Sequence, residues 1–224
     1  MRTFLTSVVG LLPPGRAKNR LLCLLGHTVA ATADIRPVLL LPGTTLEVGE
    51  RAIIGTLSTF RGVRVVLAEA AEIGQLNWVT AAPELVREST QQHPGTLTID
   101  EHGAITSRHY VDVSGGLHIA RFAICAGVRS TFMTHGVDVS VGGLVTSAIE
   151  VGEYSMVGGN CSVLPGASVP ARCVVGMGSV IAKGLTRTDA LYVGTPAQFK
   201  KTIDIGAFGR RDVGTLPVHK RPRP

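Results

Sequence analysis

Rings are scarce in this chain. Phe, Trp and Tyr make up 4% of its 224 residues, as six, one and three copies. Ordinary sandwiches and helical domains usually fill their cores with more aromatic bulk than this. Cysteine is also scarce: the four copies have no framework spacing, which excludes a disulfide scaffold and points to a reduced, cytoplasmic protein. Long apolar runs are missing. Phe4 to Leu12 is stopped by Pro13-Pro14-Gly15, and Leu21 to Leu25 follows Arg16, Lys18 and Arg20. Neither run approaches the ~18 residues that a membrane-spanning helix needs. Arg2, the apolar stretch and Ala31-Thr32-Ala33 imitate a signal peptide. Because the charges sit between the two runs, two short amphipathic helices are the preferred reading, packed on the domain's end or touching a membrane surface. No basic patch interleaves with aromatics, so a nucleic-acid partner is not expected.

What the chain has in quantity is 27 Val, 12 Ile, 22 Leu and 27 Gly. Aliphatic bulk with glycine and few rings suits short, stacked, repeated strands. A six-residue step makes this concrete: Val151, Val157, Val163, Val169, Val175 and Ile181 follow one another at that spacing. Four residues after the first five of these come Ser155, Cys161, Ala167, Cys173 and Ser179, all small. A chain that turns every six residues closes three flat strands into a triangular coil of about eighteen residues. Each side then buries one large aliphatic side chain, with room for a small one near the corner. Cys161 and Cys173 are thus expected to be core residues, not a metal pair. The step recurs at Val48, Ile54 and Phe60, at Leu67, Ile73 and Val79 after a slip, and at Ile99, Ile105 and Val111. Val29, Ile35 and Leu41 extend it toward the N-terminus.

The repeat breaks twice. Residues 81–96 have no period and read as an extruded loop, and 136–144 is a second irregular stretch. Between them the register is ambiguous. Taking Ile124 as the inward aliphatic places Val128 and Thr134 inward, and Arg129 and His135 outward. The expected organisation is a helical segment over 1–27, a coil stack over 28–198 and a basic C-terminal extension over 199–224. Lys200, Lys201, Arg210, Arg211, Lys220, Arg221 and Arg223 in that extension supply much of the formal charge of +6, and phosphate or an anionic membrane surface could attract this tail.

The stretch Val151-Gly152-Glu153-Tyr154-Ser155-Met156-Val157-Gly158-Gly159-Asn160-Cys161-Ser162-Val163-Leu164-Pro165-Gly166, continued through Val175-Gly176-Met177-Gly178-Ser179-Val180-Ile181-Ala182-Lys183, resembles the hexapeptide-repeat acyltransferases. Val193-Gly194-Thr195-Pro196-Ala197 is similar to that family's exit from the coil, although Val193 is followed directly by Gly194. The match covers about 117–201, with weaker repeats back to about 29. Segments 107–110 and 129–135 look like a branch that modifies sugars in surface polysaccharide or glycolipid synthesis. The resemblance implies an all-β, left-handed parallel β-helix, a homotrimer, acetyl-CoA or another acyl-CoA held between adjacent helices, and a histidine general base. It further implies cofactor contacts from Gly158, Gly176, Gly178, Ser179 and Lys183.

A base that activates a hydroxyl or amine needs a pKa near neutrality, which histidine supplies. His135 stands first, at a repeat break in Thr134-His135-Gly136-Val137-Asp138, with Asp138 close enough in sequence to orient its ring. His109, which could pair with Asp112, and His118 compete as base or as acceptor-pocket residues. An eighteen-residue stacking step would bring His118 near Gly136 and so near His135. Asn77 and Trp78 precede the first loop, and a sugar could stack on the sole tryptophan. His27, His93, His102 and His219 sit in terminal or loop contexts. Two other classes stay open: a non-catalytic β-helix scaffold, and a gamma-type zinc carbonic anhydrase. The second would need a close histidine pair that 109, 118 and 135 do not offer, so no metal is expected. The acceptor's identity and the acyl chain length are not encoded in the repeat.

Overall fold

The computed structural model describes residues 2–214 and 216; His219, Lys220, Arg221 and Arg223 lie outside them. Two helices come first, α1 (Arg2–Gly10) and α2 (Arg16–Leu24). Between them, Pro13 and Pro14 cannot sustain a continuous helix. α2 seats Leu22 at 0% exposure against the first coil, so the helix pair closes one end of the prism. Lys18 pins the pair. Its buried ammonium donates to the carbonyls of Gly10 at 2.8 Å, Leu12 at 2.9 Å and Arg36 at 2.9 Å. Burial pushes its pKa down to about 8, so the ammonium form persists at neutral pH.

From Thr28 the chain winds through three parallel sheets. The first joins Thr28–Val29, Thr45–Val48, Arg64–Leu67, Thr96–Ile99, Leu117–Ile119, Ile149–Val151 and Ser168–Val169. The second runs from Asp34–Ile35 to Ala190–Val193 and ends on the antiparallel strand Gln198–Thr202. The third runs from Leu39–Leu40 through Trp78–Thr80, Tyr110–Asp112 and Thr131–Phe132 to Val180–Ile181. Parallel pairing brings identical sides of successive coils into register, so each inward residue packs on its counterpart one coil away.

The six-residue ladder lies inside, with Val157, Val163, Val175 and Ile181 no more than 1% exposed. Ser155, Cys161, Ala167, Cys173 and Ser179 fill the small slots at 0–1%. All four cysteines are free thiols, and burial raises the pKa of Cys125, Cys161 and Cys173. Only two phenylalanines enter the third side's stack: it reads Leu40, Phe60, Val79, Val111, Phe132, Val163, Ile181.

Coil length varies, and this corrects two register expectations. Ser162 pairs with Val180, eighteen residues on, but Thr59 pairs with Trp78, nineteen on, and Tyr110 with Thr131, twenty-one on. Cys125, not Ile124, takes the inward slot between Ile105 and Val157. Val128 then faces outward at 42% exposure, while Thr134 is buried at 0% as expected. Near the start, Leu40 and not Leu41 is the inward residue. Two thirty-two-residue steps, Arg64 to Thr96 and His118 to Glu150, mark the extruded segments. The first carries helix α3 (Pro83–Glu88); the second is a hairpin of His135–Asp138 with Gly143–Thr146.

Candidate active site

Both insertions leave the prism at the same corner, between the third sheet and the first. They touch: Ser89 Oγ lies 2.7 Å from Thr146 Oγ1, and the Ala148 N–H donates to Gln91 Oε1 at 3.1 Å. Asp112 ends its strand directly below the start of the hairpin, because Val111 pairs with Phe132. Its side chain is 3% exposed and collects donors. Ser114 gives its N–H at 3.2 Å and its hydroxyl at 2.8 Å, and Thr134 gives its hydroxyl at 2.8 Å. His135 Nδ1 completes the set at 2.8 Å from Asp112 Oδ1. A buried carboxyl needs this degree of satisfaction. The Nδ1–H is drawn to Asp112, which leaves the Nε2 lone pair outward on a ring 27% exposed. That tautomer is the one a proton acceptor needs.

Asp138 does not join this pair. It lies out on the hairpin and accepts the Ser140 N–H at 2.8 Å and the Ser140 hydroxyl at 2.6 Å. Those bonds hold its pKa below the usual aspartate value. The orienting carboxylate for His135 comes instead from the coil beneath, so Asp138 is corrected to a turn residue. The pairing of His109 with Asp112 is corrected too. His109 is 2% exposed, its Nδ1 accepts the Ser130 N–H at 3.1 Å, and its Nε2 lies 3.1 Å from Thr106 Oγ1. Burial drops its pKa to about 4. With both nitrogens engaged inside the wall, it has no access to an acceptor. Asn77 belongs to the same internal lattice: its Nδ2 donates to Gly74 O and Thr106 O, and its Oδ1 accepts the His109 N–H.

His118 is not beside His135. The insertion lengthens its step, so it stacks under Glu150 on the outer face of the first sheet. Glu150 at 2.9 Å and Asp100 at 2.8 Å raise its pKa to about 9, Glu150 being the larger influence. It is a pinned cation at neutral pH, unsuited to accept a proton. It does line a cleft of about 590 Å³ with Gln91, Gln92, His93 and Gly115, beneath the two insertions. His135 lies outside that cleft's wall in the single chain. Trp78 is 48% exposed on the third sheet beside Tyr110 at 44%.

The glycines named for a cofactor divide. A Cβ on Gly158 would meet backbone, Met177 N at 2.8 Å, so that glycine is needed for coil stacking, whereas one on Gly176 would meet only the side chain of the exposed Val193 at 2.9 Å. Ser179 is buried and accepts the Gly194 N–H at 3.1 Å. Gly178, at φ 72° with open space around it, and the exposed Lys183 flank the outer strand Val180–Ile181. Among the described residues no three His, Cys, Asp or Glu side chains gather as a metal site.

Asp112 was in view in the sequence only as a partner for His109. A uniform eighteen-residue step cannot place it under His135; the seven-residue slips between Phe60 and Leu67 and between Cys125 and Phe132 were the available signal.

No protein-family model and no curated protein sequence matches the chain. Solved structures do. The polysialic acid O-acetyltransferase OatWY is 16% identical, over 80% of this chain and 86% of that one, with a TM-score of 0.52. A hexapeptide-repeat-containing acetyltransferase of Vibrio cholerae is 16% identical over 91% and 89%, with a TM-score of 0.47. A variant of AntD, an N-acyltransferase from Bacillus cereus, solved with dTDP and coenzyme A, is 13% identical over 83% and 89%, with a TM-score of 0.49. The likeness to OatWY shows the fold, an all-β, left-handed parallel β-helix.

Proposed function

We propose that this protein is an acyl-CoA-dependent O- or N-acyltransferase acting on a sugar or glycoconjugate acceptor. The observation that carries the reading is the His135–Asp112 pair, a positioned imidazole on a buried, fully hydrogen-bonded carboxylate, at the corner where both insertions leave the prism. His135 Nε2 accepts the proton of the acceptor hydroxyl or amine as its electron pair attacks the thioester carbonyl. The carbon–sulfur bond breaks, and the departing thiolate takes a proton back from the imidazolium. Asp112 is a positioning residue that holds the ring and stabilises its charged form.

Support for the donor comes from the late coils. Gly178 and Lys183 stand exposed on either side of the last strand of the third sheet, where a phosphate-bearing arm could meet a cation. Acetyl is the expected acyl group. Trp78 with Tyr110 offers stacking faces to the acceptor on the sheet that carries Asp112, while the His118 cleft, which His135 does not line, would take only a distal polar part of it. The working unit is a homotrimer with the site completed between copies, and it acts in the cytoplasm, where acyl-CoA is available. Solved OatWY is named as a polysialic acid O-acetyltransferase, which favours a sugar-bearing acceptor.

The test is acceptor-dependent thiol release from acetyl-CoA across a panel of sugars, aminosugars and sugar nucleotides. An active acceptor should emerge, and His135→Ala should lower kcat by about 10²–10⁴ with the mass and thermal melt of the wild type. Asp112→Asn should lower kcat more than KM. A correctly folded His135→Ala enzyme with full turnover would remove His135 from the role; silence across all acceptors would favour a scaffold.

A further inference from the structure

α1 is mounted inside out. It docks on the prism through a mostly small and polar side: Thr6 is buried, Val9 packs against the core, Ser7 Oγ donates to Leu40 O at 2.5 Å, and a Cβ on Gly10 would meet Val38 O at 2.8 Å. Its apolar side therefore faces solvent. Phe4 is 72% exposed and Leu5, Val8, Leu11 and Leu12 are 37–48% exposed. Positions 4, 5 and 8 share one helical face, and Leu11 and Leu12 extend the exposed apolar surface in the turn beyond Gly10. α2 adds Leu24 at 83%.

A second observation lies beside it. A groove of about 540 Å³ between α2 and the first coil is lined by Arg16, Asn19, Arg20, Cys23, Leu24 and Val29, with Ala31. Asn19 is 2% exposed, and its Nδ2 donates to Ala30 O and Ala33 O, yet its buried Oδ1 has no partner. Such an atom is costly unless a donor reaches it. The first acidic residue of the chain is Asp34, so the whole helical cap carries Arg2, Arg16, Lys18 and Arg20 without one carboxylate.

We propose that the helical cap is a docking face for an anionic phospholipid surface, independent of the transfer chemistry. The apolar face of α1 enters the headgroup boundary. Arg16 and Arg20, both exposed, meet lipid phosphate at the groove. Charge complementarity selects this occupant. A second copy docked face to face would set the same uncompensated arginines against each other.

The test is co-sedimentation of the full chain with vesicles of phosphatidylcholine alone or mixed with phosphatidylglycerol. Binding should favour the anionic vesicles at least tenfold and weaken as salt rises. Arg16→Gln with Arg20→Gln should cost about thirtyfold on anionic vesicles, and Phe4→Ser with Val8→Ser should cost at least tenfold. Each variant should keep the wild-type melt, because the replaced side chains lie in solvent. The conservative Phe4→Trp should add blue-shifted emission with anionic vesicles. Equal partition onto both vesicle types, undiminished binding by either double variant, or a salt-stable dimer that Phe4→Ser with Val8→Ser dissolves would overturn the proposal.

Discussion

His109, His118 and His135 share a side chain but not a chemistry, and each difference traces to its neighbours. His109 is walled in, with its pKa pushed down to about 4 by burial. The unfolded chain therefore takes up this proton near pH 6.5 while the folded chain does not. Stability attributable to His109 falls as pH drops from about 6.5 toward 4, by up to about 3 kcal/mol. Buried His27, also lowered, acts in the same direction. His118 has the opposite sign: with its pKa raised to about 9, its contribution is complete below about 6.5 and lost as pH rises through 9. Urea midpoints from pH 4.5 to 8, below the range where Lys18 and the buried cysteines titrate, should bracket a maximum between these arms. His118→Gln should flatten the alkaline arm alone. Only His135 combines a buried carboxylate partner with an outward nitrogen.

At the scale of the coil, the inward ladder was readable because a triangular prism admits one aliphatic and one small residue per side, and Val151 to Ile181 obey this without interruption. Reading failed where seven-residue sides replaced six, around Cys125 and Phe132, because one extra residue turns the inward face outward. His135 was visible as a histidine at a break; its partner depended on coil length and was not. The glycines separate structural from binding roles by experiment. Gly158→Ala forces a Cβ against Met177 backbone nitrogen at 2.8 Å and should destabilise by about 2 kcal/mol or more. Gly178→Ala meets open space and bears only the strain of φ 72°, about 1 kcal/mol. Chemical denaturation of the two variants measures the difference; a larger loss at Gly178 would contradict the stacking assignment.

For the whole molecule, the single chain leaves apolar surface that the proposed trimer accounts for. On the hairpin, Val137, Val139, Val141 and Leu144 are 59–90% exposed. Patches of this kind usually meet a partner. Light scattering should give three times the chain mass, and Val139→Glu with Val141→Glu should reduce it to one while lowering kcat at least tenfold. A monomer that retains full activity would mean that one chain holds the entire site. The aromatic deficit follows from the same architecture. Rings of Phe60 and Phe132 enter one side of the prism, whereas Phe122 and Tyr154 stack outside at 4.8 Å beneath Arg211 of the C-terminal extension. One tail cation thus packs on rings, while Lys200 and Lys201 stay exposed.

In the proposed reaction His135, held by Asp112, receives the acceptor's proton beside the thioester. A crystal structure of the protein with coenzyme A bound tests it most directly. The coenzyme A sulfur should lie within about 4 Å of His135 Nε2, with the Nδ1–Asp112 bond intact, because a proton acceptor must lie near the reacting atoms. A sulfur seated instead against His118, or on a face remote from the hairpin, would contradict it.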